Sequence, residues 1–157
     1  MGATPAQLET LYAERFGHFA RVAAAICGDP DRGRDAVQAG FTAAVRERRS
    51  FRGSGPLEAW VWRIVVNEAR RIAREPRTEP LEAAEHGSSN GQPETTGLRE
   101  QIAVLPERQR ETLFLRYYAD LDYRTIAQVL GVEVGTVSAT LSAAHRNLRR
   151  TIQEAAT

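Results

Sequence analysis

The stretch YRTIAQVLGVEVGTVSATL, residues 123–141, decides the fold of the C-terminal part of the chain. Ile126 and Leu130 recur at helical spacing before Gly131, and the apolar pattern resumes after it. Glycine readily adopts the positive φ that a sharp turn between two helices requires, and Ala127 is small enough to let two helices touch. The pattern predicts a helix-turn-helix unit, although an ordinary helical hairpin would show similar spacing.

Two more helices are predicted ahead of this unit. Residues 98–105 form a short one, and Pro106 begins the next, in which Tyr117 is expected to face inward. Asp122 has the right position and side chain to cap the first helix of the helix-turn-helix. The second helix of that unit is predicted over residues 135–152.

The first 74 residues contain three helical patterns. Thr4 and Gln7 form a capping box at the start of the first helix, and Asp29 is the expected N-cap of the second. Pro56 opens the third after the loop RRSFRGSGP. Each helix has one apolar face, so the three can bury those faces in a bundle. The sequence has no strand-like alternation.

Charge and composition divide the chain into three parts. Residues 1–74 hold 12 arginines against 8 acidic residues, whereas residues 75–97 hold 1 against 5 and are rich in Pro, Gly and Ser. Residues 98–157 hold 8 arginines against 7 acidic residues. We therefore predict an all-α chain of two small helical domains: an N-terminal three- to four-helix bundle (1–74), a flexible acidic linker (75–97) and a C-terminal helix-turn-helix domain (98–157).

Composition argues against several classes of protein. Cys27 is the only cysteine, so no intrachain disulfide can form, as is usual in the cytoplasm. The three histidines are scattered, so we expect no metal site and no cofactor. No apolar run approaches the roughly 18 residues of a membrane span. No catalytic side-chain set can be assembled. We expect a cytoplasmic protein that is not an enzyme and does not insert into a membrane.

The segment LPERQRETLFLRYYADLDYRTIAQVLGVEVGTVSATLSAAHRNLR resembles the C-terminal domain of bacterial sigma factors. DRGRDAVQAGFTAAV is similar to the helix with which they dock on core RNA polymerase, and SFRGSGPLEAWVWRIVVNEARR to their promoter-melting loop and helix. Two domains and a short linker match the extracytoplasmic-function (ECF) group, over roughly residues 8–74 and 98–150. The resemblance implies a sigma factor that binds core RNA polymerase and promoter DNA to start transcription. In many members an anti-sigma factor is a further partner.

The resemblance also implies three sets of site residues. Core polymerase would be contacted by Asp35, Gln38 and Phe41. The minus-ten element would be melted and held by Phe51, Arg52, Gly53, Arg63, Asn67, Arg70 and Arg71. The minus-thirty-five element would be read by Arg124, Thr136, Ser138, Ala139, Thr140, Ser142 and Arg146. A flipped base needs a pocket with a polar reader, and the Asn67 amide offers both donor and acceptor. Trp60 is expected to pack, while Trp62 is equally suited to packing or to DNA contact.

Two departures from the family pattern weaken these expectations. An acidic residue often follows the docking glutamine, but here Ala39 and Gly40 stand there, and glycine lowers helix propensity. Family recognition helices often carry basic residues where this chain has Ser138, Thr140, Ala143 and His145. Each bidentate arginine–guanine contact is worth about 1–3 kcal/mol of discrimination, and this part of the helix cannot make one. We expect minus-thirty-five reading that is weak, dependent on DNA shape or A·T-leaning, with a shallow salt dependence.

Two other functions stay open on the sequence alone. A sigma-like regulatory module with weakened promoter reading would bind polymerase or a regulator without forming open complexes. A stand-alone helix-turn-helix transcription regulator would bind duplex DNA without polymerase, usually as a dimer.

Overall fold

The computed structural model describes residues 2–76 and 93–157, and in these ranges it is helical and contains no strand. The N-terminal block consists of α1 (Pro5–Cys27), α2 (Pro30–Arg46), a 3₁₀ turn (Arg48–Ser50) and α3 (Leu57–Arg74). The C-terminal block consists of α4 (Pro93–Ala103), α5 (Glu107–Tyr117), α6 (Tyr123–Leu130) and α7 (Val134–Ala156). The all-α prediction is confirmed.

The predicted caps fix the helix starts. The Thr4 backbone N–H donates to Gln7 Oε1 at 2.9 Å, and the Gln7 N–H donates to Thr4 Oγ1 at 3.1 Å, which completes the capping box. The Asp29 side chain accepts from a backbone N–H in the first turn of α2. Asp122 Oδ1 accepts from the Thr125 N–H at 2.8 Å and so caps α6.

Aromatic side chains form the centre of the N-terminal block. Trp62 has no exposed surface and stacks on Phe19 with 4.0 Å between ring centroids. Phe41 meets Phe19 edge-on at 5.1 Å. Such pairs add about 0.5–1.5 kcal/mol beyond their buried area. Trp62 is therefore a packing residue here, and Trp60 packs half-buried beside Phe51 at 5.5 Å.

Two glycines let α2 approach both of its neighbours. A Cβ on Gly33 would lie 2.5 Å from the backbone nitrogen of Ala24 in α1, and one on Gly40 would lie 2.6 Å from Val65 Cγ2 in α3. Carbon atoms normally pack at about 3.5–4.0 Å, so neither position has room for a methyl group. The sequence indicated only that Gly40 weakens the helix, whereas the structure shows that it permits the α2–α3 contact.

The helix-turn-helix prediction is confirmed in α6 and α7. Gly131 ends α6 with φ 68° and ψ 38°, the left-handed conformation that a side chain makes costly. Ile126 and Val137 are fully or almost fully buried on the two sides of the turn, and Ala127 is 5% exposed. The helices bend by 98° at the break. In the described residues, no single helix is long and apolar enough to span a membrane; only this bent pair meets the length and composition test.

Three details differ from the predictions. Helix α4 begins at Pro93, inside the predicted linker, because proline suits the first helical position and the helical segment reaches further back than residue 98. Helix α7 continues to Ala156. Tyr117 is 60% exposed instead of inward, and its hydroxyl lies 3.0 Å from His145 Nε2. Linker residues 77–92 lie outside the described ranges, so the flexible linker and the domain boundaries stay predictions.

The two blocks lie against each other. Buried apolar side chains of α1 and α3 continue into those of α5, α6 and α7 as one cluster. Arg15 of α1 donates from Nη2 to the Ala119 carbonyl at 2.9 Å, and Arg70 of α3 pairs with Glu111 of α5. We call this contact between the blocks the closed arrangement.

Candidate nucleic-acid and protein-binding surfaces

The predicted polymerase-docking residues lie on α2. Asp35 and Gln38 are exposed and, three residues apart, share one face of the helix. Phe41 is only 7% exposed and packs edge-on against Phe19 and Tyr12. Phe41 was expected to contact polymerase directly, but its ring belongs to the core. There the ring holds α2 in place behind the exposed pair Asp35 and Gln38.

The predicted minus-ten residues lie in the loop 51–53 and on α3. Arg63, Asn67 and Arg70 stand at positions i, i+4 and i+7, which places them along a single helix face. Arg63 and Asn67 are exposed. Asn67 Oδ1 accepts a hydrogen bond from Arg70 Nη1 at 3.0 Å, so the predicted base reader is held by its neighbour.

Arg70 does not face open solvent as a phosphate contact would. Its Nε donates to Glu111 Oε2 at 2.7 Å and its Nη2 to Glu111 Oε1 at 2.6 Å. The Glu111 side chain is 4% exposed and that of Arg70 is 23% exposed. The hydrogen bond to Glu111 is the main cause that raises the pKa of the guanidinium. Bidentate hydrogen bonds between a guanidinium and a carboxylate are among the stronger ones in proteins, so Arg70 is bound to Glu111 in the closed arrangement.

Arg71 and Arg74, near the end of α3, also lie beside acidic residues. Arg71 bonds to Glu68 at 2.8 Å and to Glu75 at 2.7 Å, and its pKa is raised chiefly by the Glu68 bond. Arg71 remains 56% exposed, so solvent screens these pairs strongly. Arg74 Nη2 lies 3.9 Å from Glu107. Three of the four arginines of α3 thus lie beside acidic residues, which come from both blocks.

The loop before α3 is exposed to solvent at its tip, and its end lies against α6. Arg52 and Gly53 are exposed, and Gly53 has φ 74°, which favours glycine. Phe51 is half-buried against Trp60. Gly55 lies so close to α6 that a Cβ there would be 3.2 Å from Gln128 Nε2.

The predicted minus-thirty-five residues come together on the outer face of the helix-turn-helix. Thr140 is half-buried, and the others are exposed: Arg124, Thr136, Ser138, Ala139, Ser142 and Arg146. A shallow groove with mainly apolar walls runs between this face and the start of α5, lined by Pro106, Arg108, Gln109, Gly135, Thr136, Ala139, Thr140 and Ala143. Hydroxyl and methyl groups therefore line the α7 side of the groove, and Arg108 lies on its α5 side.

Glu111 is the residue that the sequence predictions missed. It stands four residues before the fully buried Leu115, on the inward face of α5. A charged residue at an inward helical position indicates that a partner is needed, because an unpaired buried charge is costly. That partner, Arg70, lies 41 residues earlier in the chain, and no local pattern connects the two.

Comparison with known proteins gives matches to both blocks. The family model for sigma-70 region 2 matches residues 11–78, and that for sigma-70, region 4 matches residues 96–148. The ECF RNA polymerase sigma-E factor of Escherichia coli strain K12 is 32% identical over 139 residues, which cover 76% of this chain and 73% of that protein.

Two solved structures share the fold. One, of CnrH in complex with the cytosolic domain of CnrY, has a TM-score of 0.74 at 24% identity and covers 97% of this chain and 91% of that one. The other, of the sigma factor RpoE in complex with the anti-sigma factor NepR from Bartonella quintana, has a TM-score of 0.70 at 19% identity and covers 92% and 96%. With both conserved regions in order and this identity to sigma-E, the chain belongs to the ECF group of the sigma-70 family of RNA polymerase sigma factors.

Proposed function

We propose that this sigma factor docks on core RNA polymerase through the exposed face of α2, melts the minus-ten element on α3 and reads the minus-thirty-five element with α7. As a sigma factor it directs promoter recognition and transcription initiation. The single observation that supports the division of labour best is the α3 face, where Arg63 and Asn67 stand exposed one turn apart. We further propose that it acts in the cytoplasm and has no catalytic activity of its own.

At the minus-ten element, the proposed base reader is Asn67. A base must leave the stack before its hydrogen-bonding edge can be read, which costs a few kcal/mol. The Asn67 amide supplies one acceptor and two N–H donors for that edge. Arg63 and the loop residues Arg52 and Gly53 would follow the phosphates beside it. Replacement of Asn67 by alanine should slow promoter melting and have little effect on core binding. Melting is measured by the fluorescence of 2-aminopurine placed in the minus-ten element.

At the minus-thirty-five element, the proposed contacts are short. Thr136 and Ala139 are exposed and present methyl groups that fit thymine methyls, and Ser138 and Ser142 present hydroxyls that bond to either base type. Arg124 and Arg146 would contact phosphates. These contacts support weak, A·T-leaning recognition. A steep salt dependence together with tight, guanine-dependent binding would contradict it.

The docking proposal can be tested with a matched pair of variants. The double substitution D35A/Q38A removes both exposed side chains of the docking face. The control D31A removes another exposed carboxylate of the same helix, which forms an ion pair with Arg34 at 3.3 Å. We expect the double variant to lose core RNA polymerase binding by about 10-fold or more, because truncation of central interface residues typically costs 1–2 kcal/mol or more. Equal losses in both variants would contradict the assignment.

The alternatives make different predictions. A sigma-like regulatory module would bind core polymerase but give no open complex, and a stand-alone regulator would bind duplex DNA without polymerase. An anti-sigma factor is a further proposed partner, supported by the resemblance to a family in which such partners are common. An anti-sigma factor that bound both blocks at once would stabilise the closed arrangement.

A further inference from the structure

We propose that the short segment before α1, residues 2–4, positions the loop that captures the minus-ten element. We call it the leading segment. It lies against the 3₁₀ turn Arg48–Ser50, which directly precedes the loop 51–56. The inference rests on the proposed minus-ten role of that loop. It adds Gly2 and Ala3, which belong to none of the predicted site sets, as positioning residues for promoter melting.

One backbone carbonyl joins the leading segment to the loop. The Arg48 oxygen accepts a hydrogen bond from the Ala3 N–H at 2.9 Å and a longer one from the Phe51 N–H at 3.4 Å. A backbone carbonyl oxygen has two lone pairs, so it can accept both bonds. Phe51 is the first residue of the loop, and its ring packs against Trp60 of α3. The Ala3 bond therefore fixes the point from which the loop departs.

Gly2 suits its position for two independent reasons. Its φ is 148°, in the region of backbone conformation that favours glycine. A Cβ there would lie 3.0 Å from the Arg48 oxygen and 3.1 Å from the Arg49 Cα, and both of these are backbone atoms. Carbon atoms normally pack at about 3.5–4.0 Å, so a side chain at Gly2 would push the leading segment away from the turn.

The leading segment is itself firmly attached to the N-terminal block. Ala3 is 6% exposed and belongs to the buried apolar cluster. Thr4 is bound to the first turn of α1 through its capping box with Gln7. The leading segment thus connects the start of α1 to the 3₁₀ turn, and it holds that turn in place relative to the helix bundle.

The tip of the loop depends on its two ends for its position. Gly53 and Gly55 lie in the loop, and a Cβ on Gly53 would meet nothing within 4 Å. Glycine loses more conformational freedom on ordering than any other residue. The α3 end is fixed, because the Pro56 carbonyl accepts from the Trp60 N–H at 3.3 Å. When the 3₁₀ turn is fixed as well, the loop loses less entropy on closing around a flipped base.

The test compares two substitutions of glycine by valine in the full-length chain. G2V places a side chain against the backbone of the turn. The control G17V makes the same change in α1, where a Cβ would meet the flexible end of Arg21 at 3.8 Å. Valine has a higher helix propensity than glycine, so G17V should remain folded. The milder G2A should change both readouts in the same direction as G2V, and it replaces G2V if urea unfolding shows that G2V does not fold.

The first readout is acrylamide quenching of tryptophan fluorescence in the free chain. Trp62 has no exposed surface, so the quencher reaches mainly Trp60, which is half-buried beside Phe51. Release of the leading segment should loosen Phe51 and raise the quenching constant of G2V. The quenching constant of G17V should equal that of the wild type.

The second readout is initiation by the holoenzyme, measured as the rate of short RNA synthesis from a promoter that the protein itself selects. We expect G2V to slow initiation on duplex DNA about 5-fold, which is within the effect of losing one backbone hydrogen bond. A premelted copy, with mismatched strands over the minus-ten element, needs no unpairing and should be affected less. Misfolding would lower the rates on both templates equally, so the ratio of the two rates separates positioning from loss of folded protein.

Each outcome decides between specific claims. A higher quenching constant for G2V together with a selective loss on duplex DNA supports the inference. Equal quenching in G2V and G17V, or equal losses on both templates, would overturn it. Higher quenching with unchanged initiation would also overturn it, and R52A then locates the fault. If R52A slows initiation on duplex DNA, the loop acts without the leading segment; if it does not, the proposed minus-ten role of the loop is wrong.

Discussion

A methyl group added at Gly33 should destabilise the protein, while the same change at Gly17 should stabilise it. Both glycines lie within long helices, so replacement by alanine brings the same gain in helix propensity, about 1 kcal/mol. Their surroundings differ. A Cβ at Gly17 would meet only the flexible end of Arg21 at 3.8 Å, whereas at Gly33 it would meet the Ala24 backbone at 2.5 and 2.6 Å.

The structure sets the magnitude of the Gly33 effect. The new methyl would sit about 1 Å inside the normal carbon packing distance, against backbone that cannot rotate away. Overpacking of this kind costs about 1–3 kcal/mol, and over most of that range the cost is larger than the gain in helix propensity. We therefore expect G33A to lose up to about 2 kcal/mol of unfolding free energy and G17A to gain about 0.5–1 kcal/mol.

Urea unfolding followed by circular dichroism measures both variants against the wild type. The prediction is a lower midpoint for G33A and a higher midpoint for G17A, with unchanged slopes. Because α2 carries the proposed docking face, G33A should also weaken core polymerase binding. Stabilisation of both variants by similar amounts would refute the close α1–α2 packing on which this reasoning depends.

Three other predictions follow from the same structure. Hydrogen bonds from Thr125 lower the pKa of Asp122, so its cap stabilises the fold above the usual carboxylate pKa and loses that contribution as the pH falls through the lowered value. The variant D122N keeps a capping side chain that does not titrate, so it should be about as stable as the wild type at neutral pH and lose less stability in acid unfolding experiments. W62A should cost about 3–5 kcal/mol in thermal unfolding, since it empties the site stacked on Phe19. R146A should lower the slope of log affinity for duplex DNA against log salt by about 1, since it removes one phosphate contact.

Local sequence signals predicted the helices well. Thr4, Asp29 and Asp122 cap through bonds that span two or three residues, so the sequence pattern alone is sufficient to locate them. Gly131 likewise adopts the left-handed conformation that its position in the turn required. These features depend on near neighbours, which is why they could be predicted without the structure.

Contacts between distant segments could not be predicted in the same way. Phe41 matched the docking pattern, yet its ring completes an aromatic cluster with Tyr12 and Phe19 from another helix. Arg70 matched a phosphate contact, yet it pairs with Glu111 across the two blocks. In each case the residue type was compatible with two environments, and only the packing of the helices decided between them.

As a sigma factor, this chain should start transcription at specific promoters. The most direct test adds the purified protein to sigma-free core RNA polymerase with sheared DNA from its own genome and sequences the transcripts. We predict discrete start sites that depend on the protein and share an upstream sequence, with an A·T-leaning minus-thirty-five element. Core binding without any specific transcripts would contradict it in favour of a sigma-like regulator, and absence of core binding would contradict the docking role of Asp35 and Gln38.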